Sequence, residues 1–309
     1  MLIKLPLKEL NCGGGRRPPP RVARSRGARE ILNRIGWPAP VGEPMETGDV
    51  VALRGADGRT WVLTVEDREL KVRGIGRINP QRLLAEVEIG QVIQVGQKRF
   101  AVLEPGLAEI RTGMSRRAQI ITPKDAGFIV NALSIGPGSR VIEAGLGSAG
   151  MALHLARAIG SGGQLISIEN RPEHAKVGLE NLERAKAAWD SFPDLHIIAA
   201  DANNCNAELD KFDNDFDAVV IDLPEPWHTI PNLATRLRTG GRLACYCPVS
   251  TQLEQAWAAC DESGLTVEWA GELIDRAWRR ASKGGIRPGN NPMGHTAFLL
   301  FAVNLPALD

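Results

Sequence analysis

Four acidic residues and one glycine turn carry the chemistry this sequence can do. Gly145-x-Gly147-x-x-Gly150 follows the apolar run Arg140 to Ala144 and precedes Met151 to Ile159, so it reads as a strand-to-helix turn. Glycines there let the backbone pass close to a ligand, and the helix N-terminus offers unpaired N–H groups. Glu143 stands just before the turn. Glu169 closes the next strand, Gln164 to Glu169; Asp201 follows the run His196 to Ala199; Asp222 closes Asp217 to Asp222. A carboxylate in the place of Glu169 can accept both ribose hydroxyls, of NAD or of S-adenosylmethionine. Three features favour the methyl donor. Glu143 is placed to meet a cationic sulfonium or ammonium, and Asp201 to reach an adenine amine. Asp222 opens Asp222-Leu223-Pro224-Glu225-Pro226-Trp227 at a strand's carboxyl end, where open sheets bind ligands. Read as structure alone, Glu143 caps the following helix and Asp201 shapes a turn. Asp222 follows Ala218-Val219-Val220-Ile221, where a charge is costly unless paired or used.

Alternating strands and helices position these groups. Apolar spacing predicts helices over Pro123 to Leu133, Met151 to Ile159, Glu173 to Trp189, near Ile230 to Leu237, and over Thr251 to Ser263. Strands are predicted over the four acid-bearing runs, Arg242 to Pro248, Thr266 to Gly271 and His295 to Val303. Such alternation implies a parallel sheet covered on both faces. The last two strands lack an intervening helix and are expected to pair antiparallel. Upstream, Gly48 to Pro105 reads as a small β domain. Val50 to Leu53 and Trp61 to Val65 flank the turn Ala56-Asp57-Gly58, and further strands cover Glu69 to Val72, Gln91 to Val95 and Arg99 to Leu103. The expected division is therefore an extension over 1–44, a β domain over 45–105 and an α/β domain over 106–309.

Composition narrows the classes. The chain has 309 residues, 43% of them hydrophobic, which fills a sizeable core. The formal net charge is +1, so any nucleic-acid surface must be local. No apolar run approaches the ~18 residues of a membrane span. Lys4, Lys8 and Glu9 interrupt Met1 to Leu10, unlike a signal peptide. Cys12, Cys205, Cys245, Cys247 and Cys260 form no CxxC pair; free thiols in a cytoplasmic protein are expected, and no metal site. Between Arg16 and Arg34 stand seven arginines and one acid, Glu30. This segment reads as a solvated extension or as a basic arm that touches RNA, with a short helix over Gly27 to Ile35.

Longer motifs are more specific. Met114-Ser115-Arg116-Arg117-Ala118-Gln119-Ile120-Ile121-Thr122-Pro123-Lys124-Asp125 resembles the signature ahead of the first strand in the tRNA adenine-N1 methyltransferases. Gly145 to Gly150, Glu169-x-x-x-x-His174, Asp222-Leu223-x-x-Pro226-Trp227, Thr251-Gln252-Leu253 and Gly294-His295-Thr296-Ala297-Phe298-Leu299 match the same family. The resemblance implies a Rossmann-like class I methyltransferase fold, with a seven-stranded mostly parallel sheet of order 3-2-1-4-5-7-6 and a small N-terminal β domain. It implies S-adenosylmethionine as cofactor, a homotetramer, and methylation of the T-loop adenosine at tRNA position 58, with 57 added in archaeal members. By the same carry-over, Gly145, Leu146, Gly147, Ser148, Ala149, Gly150, Met151, Glu169, His174, Asp201, Ala202 and Asp222 line the donor pocket. Gln119 lies over the methionine end. Two departures stand out: Glu109-Ile110 replaces an Asp-Tyr pair, and Ala149 occupies a usual glycine.

For such a reaction, adenine N1 attacks the methyl directly and alignment is the main task. Asp222 is the expected catalytic residue, bonding the exocyclic amine and offsetting the ring's new charge. The base must leave its stack, and RNA contacts elsewhere must supply that cost. The candidates are Arg276, Arg279, Arg280, Lys283 and Arg287, read as a mobile basic loop with Trp278, together with Trp227 and His295. Two other functions stay open: a non-catalytic RNA-binding subunit, and a small-molecule methyltransferase of the corrin-pathway type.

Overall fold

Two sheets, meeting across a shared apolar layer, organise the chain. The computed structural model describes residues 45–306. The arginine-rich arm, its short helix and Cys12 lie outside the described residues. The first sheet comes from β1 (Val50–Gly55), β2 (Thr60–Thr64), β5 (Val92–Val95) and β6 (Lys98–Leu103), antiparallel in the order β2-β1-β6-β5. The hairpin of β3 (Leu70–Val72) and β4 (Gly76–Ile78), and the short helix α1 (Pro80–Leu84), complete this small unit. Its core holds Val51, Leu53, Phe100 and Val102. Val50 is also buried, but packs with Ile110 and Met114 in the core beneath the second sheet. Apolar residues therefore run unbroken along β1 because both of its faces are covered. Ile110 sits on α2 (Leu107–Gly113) and is 1% exposed, so the missing tyrosine is replaced by an apolar plug.

The second sheet has seven strands. Helix α3 (Pro123–Ala132) leads into β7 (Arg140–Ala144), followed by α4 (Gly150–Ile159), β8 (Gln164–Ile168), α5 (Pro172–Ala188) and β9 (Asp194–Ile198). Then come α6 (Asn206–Leu209), β10 (Phe216–Ile221), α7 (Pro226–Ala234), β11 (Leu237–Cys247), α8 (Ser250–Glu262), β12 (Leu265–Gly271) and β15 (Phe298–Asn304). The spatial order β12-β15-β11-β10-β7-β8-β9 is the expected 3-2-1-4-5-7-6 read from the other edge. Residues alternate between two cores. Val141 joins the α3, α4 and α5 side with Ile129, Leu153 and Leu182. Ile142 joins the α7 and α8 side with Ile230, Leu233 and Cys260. Cys205, Cys245, Cys247 and Cys260 are free and buried.

Several boundaries differ from expectation for identifiable reasons. Pro226 occupies the first turn of α7 and starts that helix ahead of Ile230, because proline needs no N–H there. Strand β15 begins at Phe298, leaving His295 ahead of it. The stretch from Arg276 to Pro288, expected as a mobile loop, folds into an antiparallel ribbon of β13 (Trp278–Arg280) and β14 (Ile286–Pro288). Ser282 to Gly285 turns the ribbon, with Gly284 and Gly285 both at positive φ.

Parallel β7, β8, β9 and β10 all point their carboxyl ends the same way, and at that end β7 and β10 touch backbone to backbone. The Asp222 N–H donates to the Ala144 carbonyl at 2.9 Å. Gly145 has φ +100°, and a Cβ there would collide with the Asp222 carbonyl oxygen. Gly145→Ala is expected to cost more than about 4 kcal/mol in denaturant unfolding. Gly138→Ala, at φ +86° with open space around it, should cost only about 1–2 kcal/mol.

Candidate methyl-donor site

The glycine turn is a cradle built by close packing. Gly145 and Leu146 both donate their N–H to the Ile168 carbonyl, at 2.9 and 3.2 Å, which ties the turn to the end of β8. Gly147 has φ +54° and donates its N–H to Glu169 Oε2 at 2.9 Å. Ala149 takes the left-handed conformation, φ 64°, that its glycine-like position demands. Gly150 and Gly178 give close passage to Ile120 and to Leu146, where a Cβ would clash.

The stretch around Gln119 is pinned over this turn. The Ser148 hydroxyl accepts the N–H groups of Arg117 and Ala118, at 2.9 and 3.0 Å. Asn181, buried on α5, accepts the Ser115 N–H and donates to the carbonyls of Ser115 and Ser148. Gln119 itself is exposed. Ser148 thus spends its hydroxyl on scaffolding, while Leu146, Met151 and Ala202 are buried.

Three carboxylates converge at the strand ends. Glu143 is 1% exposed; Ser167 Oγ donates to its Oε2 at 2.6 Å, and its Oε1 has no partner among the described residues. Burial pushes this carboxyl up to about 8, the Ser167 bond pulls it back, and the charge of Asp222 pushes it further. Asp222 keeps part of its side chain open, yet burial drives it up to about 7, against the pull of Arg171 and with the push of Glu169. Glu169 behaves oppositely. Burial would raise it, but Arg171 and the Gly147 N–H together hold it below the usual range. Arg171 grips both of its oxygens, at 2.9 and 3.2 Å. The site gathers three acids, one held ionised by Arg171 and two whose ionisation a cationic ligand would favour.

The remaining predicted residues fall at the rim. Asp201 is exposed and accepts the Asn203 N–H at 2.9 Å, the turn role weighed for it. His174 sits in the first turn of α5, with a buried Nδ1 that has no partner among the described residues. Trp227 packs partly into the α7 side of the core and donates its indole N–H to His228 at 3.0 Å. His295 bonds Glu272 at 2.8 Å through Nδ1 and the Pro248 carbonyl at 2.9 Å through Nε2. Both partners accept, so they favour the doubly protonated ring and raise its pKa. Arg276, Arg279, Arg280, Lys283 and Arg287 lie exposed on the ribbon, away from the strand ends in sequence but ahead of His295.

Residues 102–283 match the family model described as the tRNA methyltransferase complex GCD14 subunit. The chain belongs to this family. Among relatives, the tRNA (adenine(58)-N(1))-methyltransferase TrmI of Thermus thermophilus is 30% identical over 86% of this chain and 97% of its own. The tRNA (adenine(57)-N(1)/adenine(58)-N(1))-methyltransferase TrmI of Methanocaldococcus jannaschii is 30% identical over 66% of this chain and 78% of its own. A SAM-dependent O-methyltransferase from Thermotoga maritima superposes with a TM-score of 0.70 at 29% identity, over 86% of this chain and 96% of that one. The tRNA (m1A58) methyltransferase TrmI of Aquifex aeolicus, at 23% identity and a TM-score of 0.66 over 86% of this chain and all of that one, shares the fold.

This member of the GCD14 family adds residues that motif reading missed. Tyr246, the single tyrosine of the chain, stands on β11 near enough to Asp222 and Asp125 for both carboxylates to raise its phenol, which burial already pushes to about 12. Asp125 is fully buried and accepts from Thr122, Lys124 and Thr296, at 2.8, 2.6 and 2.7 Å, joining α3 to the start of the final strand. Arg171 and Ser167 set the state of the acids. Ser167 lies two residues before Glu169 on β8, and Arg171 two residues after it at the N-cap of α5.

Raised carboxyl pKa values are also statements about stability. Glu143 and Asp222 bind protons in the folded state well above their unfolded values of about 4. Their contribution is present at acid pH and is lost as pH rises through about 7 to 8. His154, pushed down to about 4 by burial and by Arg111, acts with the opposite sign only below about 6.5. Thermal stability should therefore fall as pH rises from about 4.5 to about 8, with His154 offsetting part of the fall below about 6.5, and level off above that; Glu143→Gln, which mimics the protonated acid, should flatten the fall.

Proposed function

We propose that this chain is an S-adenosylmethionine-dependent enzyme that methylates N1 of adenosine 58 in the T-loop of tRNA. The observation that carries the reading is the nest of Glu143, Glu169 and Asp222 around a glycine cradle, in a chain of the GCD14 family. The relatives named above act at position 58, and the archaeal one also at 57.

The residues fit the cofactor. Gly145 and Gly150 let the turn close tightly on Asp222 and Ile120 and so shape the cradle, and the Oε1 of Glu143, without a hydrogen-bond partner among the described residues, is an acceptor awaiting a cation. Glu143 would take the sulfonium or ammonium side, and Glu169 the ribose hydroxyls once Arg171 turns outward. His174 and Asp201, with Ala202, would flank the nucleoside, and Gln119 would cover the methionine end. Leu146, Ser148, Ala149 and Met151 shape the cradle. When bound, S-adenosylmethionine supplies an electrophilic methyl group on a sulfonium centre.

The chain's own residues do the rest. Adenine N1 has an in-plane lone pair at neutral pH, so alignment dominates the barrier. Asp222, at the end of β10, accepts a hydrogen bond from the exocyclic amine. As the ring gains positive charge, this carboxylate offsets it and can take a proton. Its pKa of about 7 suits that exchange. Tyr246 lies near enough to the same carboxylate for its charge to raise the phenol. Trp227, His295 and the ribbon arginines face RNA in this reading. Arg279 and Arg287 stand directly opposite each other across the ribbon, a like-charge pair that a phosphate would relieve.

The assembly proposed is the homotetramer of the resembled family, supported by exposed apolar side chains such as Trp257, Ile274 and Trp278. The compartment proposed is the cytoplasm, supported by four buried free thiols. Among the described residues no helix is long and apolar enough to cross a membrane, and no group of His, Cys, Asp or Glu gathers as metal ligands do.

Purified protein, unmodified tRNA transcripts and S-adenosylmethionine test the reading, with nucleosides identified by mass spectrometry. Wild type should form N1-methyladenosine. Asp222→Ala should lower kcat by about 10²–10⁴ while donor affinity stays within tenfold. The kcat/KM of wild type should rise with pH through about 7, as Asp222 ionises. Wild type that binds tRNA and donor but leaves every adenosine unmodified would sink the proposal in favour of a non-catalytic subunit.

A further inference from the structure

The charges of the β domain are sorted along its strands. Three hairpin tips meet at one end: Gly55 to Arg59 between β1 and β2, Val72 to Gly76 between β3 and β4, and Val95 to Lys98 between β5 and β6. Lys98 Nζ donates to the Gly74 carbonyl at 2.7 Å, and the Trp61 indole N–H to the Arg73 carbonyl at 2.8 Å. These bonds close the tips on one another. Arg59, Arg73 and Lys98 stand on the tips, with Arg54, Lys71, Arg77 and Arg99 just behind them. Asp57 is the one acid at this pole, and Arg59 holds it at 2.7 Å. The other acids of residues 45–105, from Glu46 and Asp49 to Glu104, lie toward the opposite strand ends. The two bases there, Arg68 and Arg82, are paired with Glu66 and Asp67.

The basic pole is uncompensated from within. Lys71 and Arg77 stand directly opposite each other across β3 and β4, a destabilising arrangement for like charges. No acid among the described residues pairs with Arg54, Lys71, Arg73, Arg77 or Arg99. A groove of about 900 Å³ opens among them, walled by Arg54, Arg59, Trp61, Arg73 and Thr112 of α2. Glu109 also lines it, but its carboxylate folds back onto the Gly106 N–H at 3.0 Å. Trp61 is fixed edge-on to Phe100, with ring centroids 5.5 Å apart, and the Arg59 guanidinium lies 5.8 Å from its ring.

Two unpaired cations, Arg54 and Arg73, beside a fixed aromatic ring are the chemistry that holds a nucleic-acid backbone and a neighbouring base. We propose that this groove binds the phosphate backbone of the RNA substrate at a point away from the reacting adenosine. The inference rests on the RNA methyltransferase reading and extends it to a second contact. Its physical role is to supply binding free energy for unstacking a base that the donor site alone cannot extract.

The test uses the full chain, a fluorescently labelled unmodified tRNA transcript and anisotropy over a salt series, with steady-state methylation alongside. Arg54→Glu with Arg73→Glu should raise both Kd and KM for tRNA at least tenfold. The kcat at saturating tRNA should stay within twofold, and donor affinity and melting temperature should not move. The slope of log Kd against log salt should flatten by about 1.5, as two phosphate contacts are lost. Arg54→Gln with Arg73→Gln, which adds no repulsion, should shift Kd in the same direction by less. Variants that match wild type in Kd and salt slope overturn the proposal. So does a change in sedimentation with tRNA affinity intact, because the pole is then an interface between proteins. Wild type that binds tRNA without methylating it removes the enzymatic reading, and the anisotropy still decides the groove. Wild type that binds no tRNA removes both.

Discussion

The site depends on one backbone contact, between the carboxyl ends of β7 and β10. The Asp222 N–H reaches the Ala144 carbonyl, and the bare Cα of Gly145 lies against the Asp222 carbonyl. No side chain separates the two strand ends, so the acids they carry are forced together. Glu143 precedes the contact on one strand and Asp222 forms it on the other. Glu169, at the end of the adjoining β8, is tied to the same turn through Gly147. The glycine turn is therefore more than an opening for a ligand. It fixes the spacing of three carboxylates that would repel one another if they were free to move.

That spacing divides the labour among chemically similar groups. Glu169 is saturated by Arg171 and a backbone N–H and stays ionised. Glu143 has one hydroxyl partner and deep burial, and it holds a proton. Asp222 lies between these extremes. Environment alone separates the three, as expected when burial and neighbours compete over the same titration. A cationic ligand shifts Glu143 and Asp222 toward the ionised form that Glu169 already has. Proton release is then coupled to its binding.

Much of this was legible in the sequence because it is periodic or punctuated. Strands with single-file apolar runs, the glycine turn and the acids at strand ends all carry local signals. The positive φ of Ala149 was foreshadowed by its place in the turn, although alanine gives no hint of it by type. What was missed depends on distant partners. The β13 and β14 ribbon has strands of only three residues, Trp278-Arg279-Arg280 and Ile286-Arg287-Pro288, too short for an alternation to read. Arg171 follows a predicted acid in a run that reads only as a turn. Tyr246 looks like one more apolar strand residue until β11 is laid beside β10. Ile110 showed as a lost aromatic, and only its burial between the two sheets explains why an aliphatic side chain fits.

The order of the sheet also has a meaning in time. Strand β15 runs antiparallel between β11 and β12 and is the one partner that β12 has in the sheet. As the chain emerges during synthesis, β12 is made before β15 and has no sheet partner until then. Asp125, fixed early in the chain, likewise waits for Thr296. The β12 edge of the sheet is thus completed last, when the final strand fills the place between β11 and β12. The strands that carry Glu143, Glu169 and Asp222 at their ends are all synthesised well before that closing strand.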